Sequence, residues 1–179
     1  MTYLPRESRP IANEPSTLAE AAERGEQPAA LDWGEALAYL GGADGFWFVT
    51  VDRQGHPHPR PVLAVVVDGA LHTTSSLRAQ KAKNLLSGGR CAFAVHTDDF
   101  DFVIEGRGHR VTDRDALERV ADHYRPGWPV TVEDDAFDAP FGAPTAGPPP
   151  YAVFRIDPDI AYGFGITDQT NFRSTRWRF

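Results

Sequence analysis

Lysine is almost missing from this chain. Lys81 and Lys83 are the only two among 18 basic residues, and the other sixteen are arginine. Cysteine is scarcer still: Cys91 stands alone, which excludes an intrachain disulfide and a cysteine-rich metal site. Basic charge as a whole is short, with a formal net charge of −7 and a pI near 5.3. A general nucleic-acid surface would normally be basic, so that class is set aside, and any cationic site must be local and enclosed. Long apolar runs are missing too. The longest aliphatic stretch, Val62 to Val67, is far too short to span a bilayer, and the Met1–Glu7 segment holds no apolar signal core. A soluble, cytoplasmic protein with no membrane partner is the expectation.

Several chemical signatures are absent as well. There is no Gly-x4-Gly-Lys-Ser/Thr phosphate loop, no Gly-x-Ser-x-Gly, no His-Glu-x-x-His, and no cysteine–histidine pairing around Cys91. No histidine and carboxylate set at familiar spacing completes a metal site.

What is present is ordinary for one globular domain: 179 residues, 41% hydrophobic and 24% charged. Residues 1–30 carry Pro5, Pro10, Pro15 and Pro28 and read as an extended arm, with Thr17-x-x-Glu20 as a capping box for a short helix ending at Gly25. Residues 31–179 read as the folded domain. Asp32-x-x-Glu35 opens a helix through Leu40, with Trp33, Leu37 and Leu40 on one face.

Strands follow. Phe46–Val51, His56–Val67, Ala70–Ser75, Arg90–His96, Phe100–Val111, Tyr151–Ile156 and Ile160–Phe164 are β-branched, aromatic or alternating. Asp68-Gly69 is the strongest turn signal. Helices are expected after Ser75 to about Leu86, and from Thr112 or Asp113 to about Tyr124. Residues 125–150 are irregular and proline-rich, the length and composition of a lid, a partner-binding arm or a disordered segment. Six or seven strands at hairpin spacing with few helices predict a mainly β fold, an antiparallel barrel.

The two lysines sit where that barrel offers a helix N-terminus. Thr73-Thr74-Ser75-Ser76 ends a strand, and Gln80-Lys81-Ala82-Lys83 opens the helix. Free N–H groups, hydroxyls and cations at one helix start make an anion site; a solvated surface face is the plain alternative. Arg60, on the neighbouring strand of the hairpin, is positioned to reach the same anion, or else to pair with a surface carboxylate. An anion site without evident acid–base machinery points to a cofactor that carries its own chemistry. Trp177 and Arg178 in the terminal Thr-Arg-Trp-Arg-Phe predict a docked tail, either closing the core or lying beside a flat ring.

The order Gly55-His-Pro-His-Pro-Arg60-Pro61-Val62, Asp68-Gly69, Leu71-His-Thr-Thr-Ser75 and Gln80-Lys81-Ala82-Lys83-Asn84-Leu85 resembles the pyridoxamine-5′-phosphate-oxidase-like split β-barrel superfamily. It is similar in particular to the branch of flavin- and deazaflavin-dependent oxidoreductases. The loop from Ala139-Pro140 to Pro150 and the Thr-Arg-Trp-Arg-Phe ending resemble an actinobacterial subgroup of that branch.

The resemblance implies a homodimer with cofactor sites at the interface and F420 or FMN as cofactor. Arg60, Pro61 and Val62 would lie along the ring and phosphate. Thr73, Thr74 and Ser75 would donate hydrogen bonds, and Gln80, Lys81 and Lys83 would hold the phosphate. Trp177 and Arg178 would reach the partner's cofactor. Gln80 departs from the basic residue found there in the oxidases of vitamin B6 metabolism. The expected activity is hydride transfer to a small organic substrate. The alternatives are a non-catalytic carrier or sensor of the same cofactor, and a haem-binding split barrel using His56, His58 or His72.

Overall fold

The structure, a computed structural model, describes residues 3–11, 28–142 and 146–179, together with positions 19, 22, 23 and 25. The capping box expected at Thr17 and Glu20 lies outside the described residues.

Alternation builds the sheet. In β2 (Phe46–Val51), Phe46, Phe48 and Thr50 turn inward while Trp47 is exposed. β6 (Arg90–His96) buries Cys91, Phe93 and Val95 in the same period. β7 (Phe100–Val111) buries Phe100, Phe102 and Ile104. These inward residues meet in one apolar core, with Phe48 and Phe93 stacked at 4.6 Å. A residue of period two commits one face of a strand to that core.

The ring closes through a single bent segment. β3 (Pro57–Val62) pairs with β2, whereas β4 (Ala64–Val67) pairs with β5 (Ala70–Ser76). Only Leu63 separates β3 from β4. β5 pairs with β10 (Tyr151–Gly165), β10 with β7, β7 with β6 and β6 with β2. The result is a closed antiparallel barrel split at Leu63. His56–Val67 reads as one strand in the sequence because its alternation continues; in the structure it changes partners midway. The Leu63 carbonyl leaves the ladder there and accepts from the Thr73 hydroxyl (2.8 Å) and the Tyr124 hydroxyl (3.2 Å).

The Asp68-Gly69 turn is realised as a two-residue hairpin loop, with Val67 opposite Ala70 and φ of 52° and 77° at the two turn residues. Positive φ at both positions matches the right-handed twist of the flanking strands.

β10 is one strand of 15 residues rather than the two expected around Pro158. A bulge absorbs the break, since Pro158 has no N–H for the ladder. Opposite it, Gly106 leaves room for the Asp157 carbonyl, where a Cβ would collide. The tail adds β11 (Thr175–Arg178) beside β10, and the N-terminal arm adds β1 (Glu7–Pro10) beside β11.

Three helices are described. α1 (Trp33–Gly41) is capped by Asp32, whose carboxylate accepts from the Gly34 N–H at 2.8 Å. α3 (Arg114–Tyr124) is capped by Asp113. α2 (Gln80–Gly88) starts at Ala79 with no side-chain cap. α3 lays Leu117, Val120, Ala121 and Tyr124 on the outside of β4 and β10, forming a second core with Trp128 and Phe137. A hairpin, β8 (Thr131–Glu133) and β9 (Ala136–Asp138), stands inside the stretch expected to be irregular. Among the described residues no helix is long and apolar enough to cross a membrane.

Candidate cofactor site

At the split in the barrel lies a cavity of about 270 Å³. Four pieces of chain wall it: Pro61, Val62 and Leu63 at the strand break; Thr74, Ser75 and Ser76 at the end of β5; Ala79 and Lys81 at the start of α2; and Gly127, Trp128, Phe141, Gly142 and Ala146 from the loop before β10. Tyr151 completes it. On the other side of Pro61–Leu63 a broad groove of about 1150 Å³ runs between α1 and the β6–β7 turn; it is lined by Asp44, Trp47, Asp98 and Asp99 and by no lysine or arginine. The smaller cavity is the one that joins the predicted basic and hydroxyl residues.

Its electrostatics favour an anion. Burial lowers the proton affinity of Lys81, and the nearby Arg60 guanidinium lowers it further. Neither cation forms an ion pair among the described residues; the Arg60 Nη1 donates only to the Pro59 carbonyl, at 2.6 Å. Two close cations without a counterion raise the energy of the free protein, and a bound phosphate would relieve it. The first turn of α2, which has no side-chain cap among the described residues, adds the N–H groups of a helix start beside Lys81.

Of the predicted residues, the structure brings together Pro61, Val62, Thr74, Ser75 and Lys81 in the wall, with Arg60 acting on Lys81 from β3. Thr73 is buried and its hydroxyl is held by Leu63. Gln80 Nε2 donates to Asn84 Oδ1 at 2.7 Å, and Asn84 donates to Thr50 at 2.9 Å, so Gln80 begins a chain into the core. Lys83 is exposed and outside the wall. Trp177 is fully buried in its own chain, 5.2 Å from Trp33, with its indole N–H on the Leu31 carbonyl. Arg178 lies on the edge pair with β1, 3.8 Å from Glu7.

The loop residues are the part that sequence reasoning missed. Trp128 Nε1 donates to the Phe141 carbonyl at 2.6 Å, and the Tyr151 hydroxyl donates to Gly147 at 2.6 Å. These bonds fasten the proline-rich segment as a wall of the cavity. Aromatics within a proline-rich stretch were the available signal, but nothing local says where they dock.

The histidines differ sharply. His56 is exposed and bonded to Asp52 at 3.1 Å. His72 is buried, with Nδ1 on the Ala70 carbonyl, and burial pushes its pKa down to about 4. His58 has an enclosed Nδ1 with no hydrogen-bond partner among the described residues. Cys91 is buried, its thiol pushed up to about 12, and so is inert at neutral pH.

The family model for pyridoxamine 5′-phosphate oxidase matches residues 33–164. The chain belongs to that family. The match runs from the first residue of α1 almost to the end of β10, so it takes in every wall of the cavity. No curated protein is similar enough to the chain to match it. Solved structures share the family's fold. A conserved hypothetical protein of Mycobacterium tuberculosis aligns over 78% of this chain and 89% of its own, with 17% identity and a TM-score of 0.59. The FAD binding protein of Mycobacterium smegmatis aligns over 76% and 98%, at 13% identity and 0.55. The heme binding protein of the same organism aligns over 80% and 61%, at 10% identity and 0.53. At these identities the likeness concerns the fold.

Proposed function

We propose that this family member is an oxidoreductase that binds FMN or the deazaflavin F420 and transfers hydride to a small organic substrate. The observation that carries the reading is the unpaired cation couple, Lys81 and Arg60, beside a cavity walled by hydroxyls and aromatics.

The bound cofactor would supply the hydride chemistry. The chain's own residues hold, orient and dry it. Lys81 and Arg60 neutralise the phosphate, with the Thr74 hydroxyl and the open first turn of α2 as donors; the Ser75 hydroxyl donates to the Ser76 carbonyl at 3.2 Å and would have to turn to join them. Pro61 and Val62 offer a flat apolar edge. Trp128 and Phe141 exclude water from the far side. Among the described wall residues Lys81 is the only ionisable one other than Tyr151, whose hydroxyl is already bonded to Gly147. Proton and electron traffic therefore falls to the cofactor. That same sparseness favours a second reading, a carrier or sensor that holds the cofactor without turnover.

A homodimer accords with the outer face of β2 and β3. Trp47 pairs with Pro61 and Val49 with Pro59 on that face, and Trp47 and Leu63 are each 56% exposed. A second copy covering these residues would shield the cofactor edge as well.

Titration of the purified protein with FMN and with F420, followed by flavin fluorescence or absorbance, tests the proposal. Binding tighter than about 100 μM, roughly −5.5 kcal/mol, is expected for one of them. If neither binds at that level, the reading is wrong. Binding without reduction of any acceptor by the reduced complex selects the carrier. Sedimentation at micromolar concentration reports the dimer, and Trp47→Glu should dissociate it.

A further inference from the structure

We propose that His58 is a third phosphate ligand of this site and takes up a proton when a dianionic phosphate monoester binds, so that the pocket selects a terminal phosphate over an internal diester. This rests on the reading that Lys81 and Arg60 hold the cofactor's phosphate.

Register places His58 opposite Thr50 and Arg60 opposite Phe48, so both side chains share one side of β3, two residues apart, with His58 half-buried and Arg60 exposed beside the cavity. α2 packs against that region, since Thr50 accepts from Asn84, and Lys81 belongs to the same helix. The His58 Nδ1 is enclosed and has no hydrogen-bond partner among the described residues. An enclosed ring nitrogen without a partner is costly, and it persists where something absent from the free chain completes it.

The charges that face His58 are few. Arg60 comes from its own strand, Lys81 from α2, and Asp52 from the end of β2. Asp52 is already engaged: its carboxylate accepts from the Gln54 and His56 N–H groups and from the His56 ring. Burial first, then Arg60 and Lys81, lower the proton affinity of His58 in the free protein, against the smaller raising effects of its own backbone and of Asp52.

An arriving dianion reverses that field. Protonated imidazole then presents two N–H donors, and His58, Arg60 and Lys81 together match the three terminal oxygens of a phosphate monoester. An internal phosphodiester carries a single charge and offers two free oxygens. It would leave His58 neutral and its ring nitrogen unanswered. FMN ends in a monoester, whereas the phosphate of F420 is a diester.

The test is calorimetric titration of the full chain with FMN, riboflavin and F420 at pH 7.0–7.5, in buffers of different ionisation enthalpy. Wild type is expected to take up about half a proton or more on binding FMN beyond what His58→Gln takes up. His58→Gln should weaken FMN about tenfold and leave riboflavin unchanged. Wild type should bind FMN at least about tenfold more tightly than F420. Nitrogen-15 NMR of the wild-type ring gives a readout free of any folding defect in the variant: the His58 resonance should move from neutral to protonated as FMN is added. FMN binding with equal proton uptake in both proteins, or with a ring that stays neutral, overturns the role of His58 and leaves the phosphate reading standing. Preference for F420 overturns the monoester selection. Failure of all three ligands to bind overturns both readings together.

Discussion

The guanidinium of Arg60 lies close enough to the ammonium of Lys81 to oppose its charge, and no carboxylate pairs with either among the described residues. Folding alone gives no reason for that arrangement. Several arginines elsewhere find carboxylates: Arg173 forms a two-pronged pair with Glu35, and Arg155 with Asp157. Arg90 and Arg107 also face each other across β6 and β7 without an ion pair among the described residues, but only Lys81 and Arg60 meet where the barrel is split and a helix starts without a side-chain cap.

Lys81→Ala should therefore weaken cofactor binding by about 1.5–3 kcal/mol, the scale of a charged hydrogen bond. Lys83→Ala should leave it unchanged. In the free protein the sign reverses. The folded pKa of Lys81 is depressed, so at neutral pH its charge opposes folding, and that opposition fades as pH rises through the folded value toward the unfolded one. Lys81→Met is expected to raise the melting temperature without cofactor and to lower the additional stabilisation that saturating FMN or F420 provides. A fall in melting temperature of the cofactor-free variant would contradict the account.

Acid stability has a separate source. His72 is buried, and its pKa is pushed down from 6.5 to about 4, chiefly by burial. The unfolded chain binds the extra proton between those values, so stability is fully present above pH 6.5 and declines toward pH 4. The loss is about 3 kcal/mol over the window, at 1.36 kcal/mol per unit. Unfolding free energies from urea titrations between pH 7 and pH 4 should fall by about that amount through His72 in wild type. His72→Gln, which keeps a donor for Ala70, should flatten the decline. An unchanged slope would assign acid sensitivity to other groups.

Much of the barrel was legible because its strands are long and half-buried. Phe46–Val51 and Arg90–His96 alternate over enough residues for the period to show, and Asp68-Gly69 has the chemistry its turn requires. The β8–β9 hairpin escaped because strands of three residues carry no period. β1, at the edge of the sheet, and β11, between β1 and β10, escaped because each is a short segment defined by distant partners. Leu63 escaped for another reason: a change of partner strand leaves the local alternation intact. The candidate wall residues Thr74, Ser75 and Lys81 stand close together in the sequence, whereas Thr73, Gln80 and Lys83 from the same stretch lie outside the wall. The far wall could not be read, because Trp128 and Phe141 reach the cavity only through tertiary contacts.

The seating of α1 depends on the tail. The Leu31 N–H donates to the Thr175 hydroxyl at 2.8 Å, and the Leu31 carbonyl accepts from Trp177 at 3.2 Å. Both backbone groups of a fully buried residue are thus satisfied by β11. Thr175→Val preserves shape but orphans the Leu31 N–H, and should cost about 1–3 kcal/mol in urea unfolding. Cofactor affinity at temperatures where the variant is folded should not move, since neither residue touches the cavity.

The loop wall makes the opposite split between stability and binding. Trp128 buries its ring between Tyr124 and Tyr151 and uses its indole N–H to hold the Phe141 carbonyl. Trp128→Phe keeps most of the ring packing and removes the bond that draws the Phe141 segment onto the cavity. A net hydrogen bond is worth about 0.5–1.5 kcal/mol, so cofactor affinity should fall roughly two- to tenfold. Dissociation should account for most of that fall, because a loosened wall releases a bound ligand faster without changing the cations that draw it in. Stopped-flow fluorescence separates the two rates. A change confined to association would mean that the loop acts as an entrance and not as a wall.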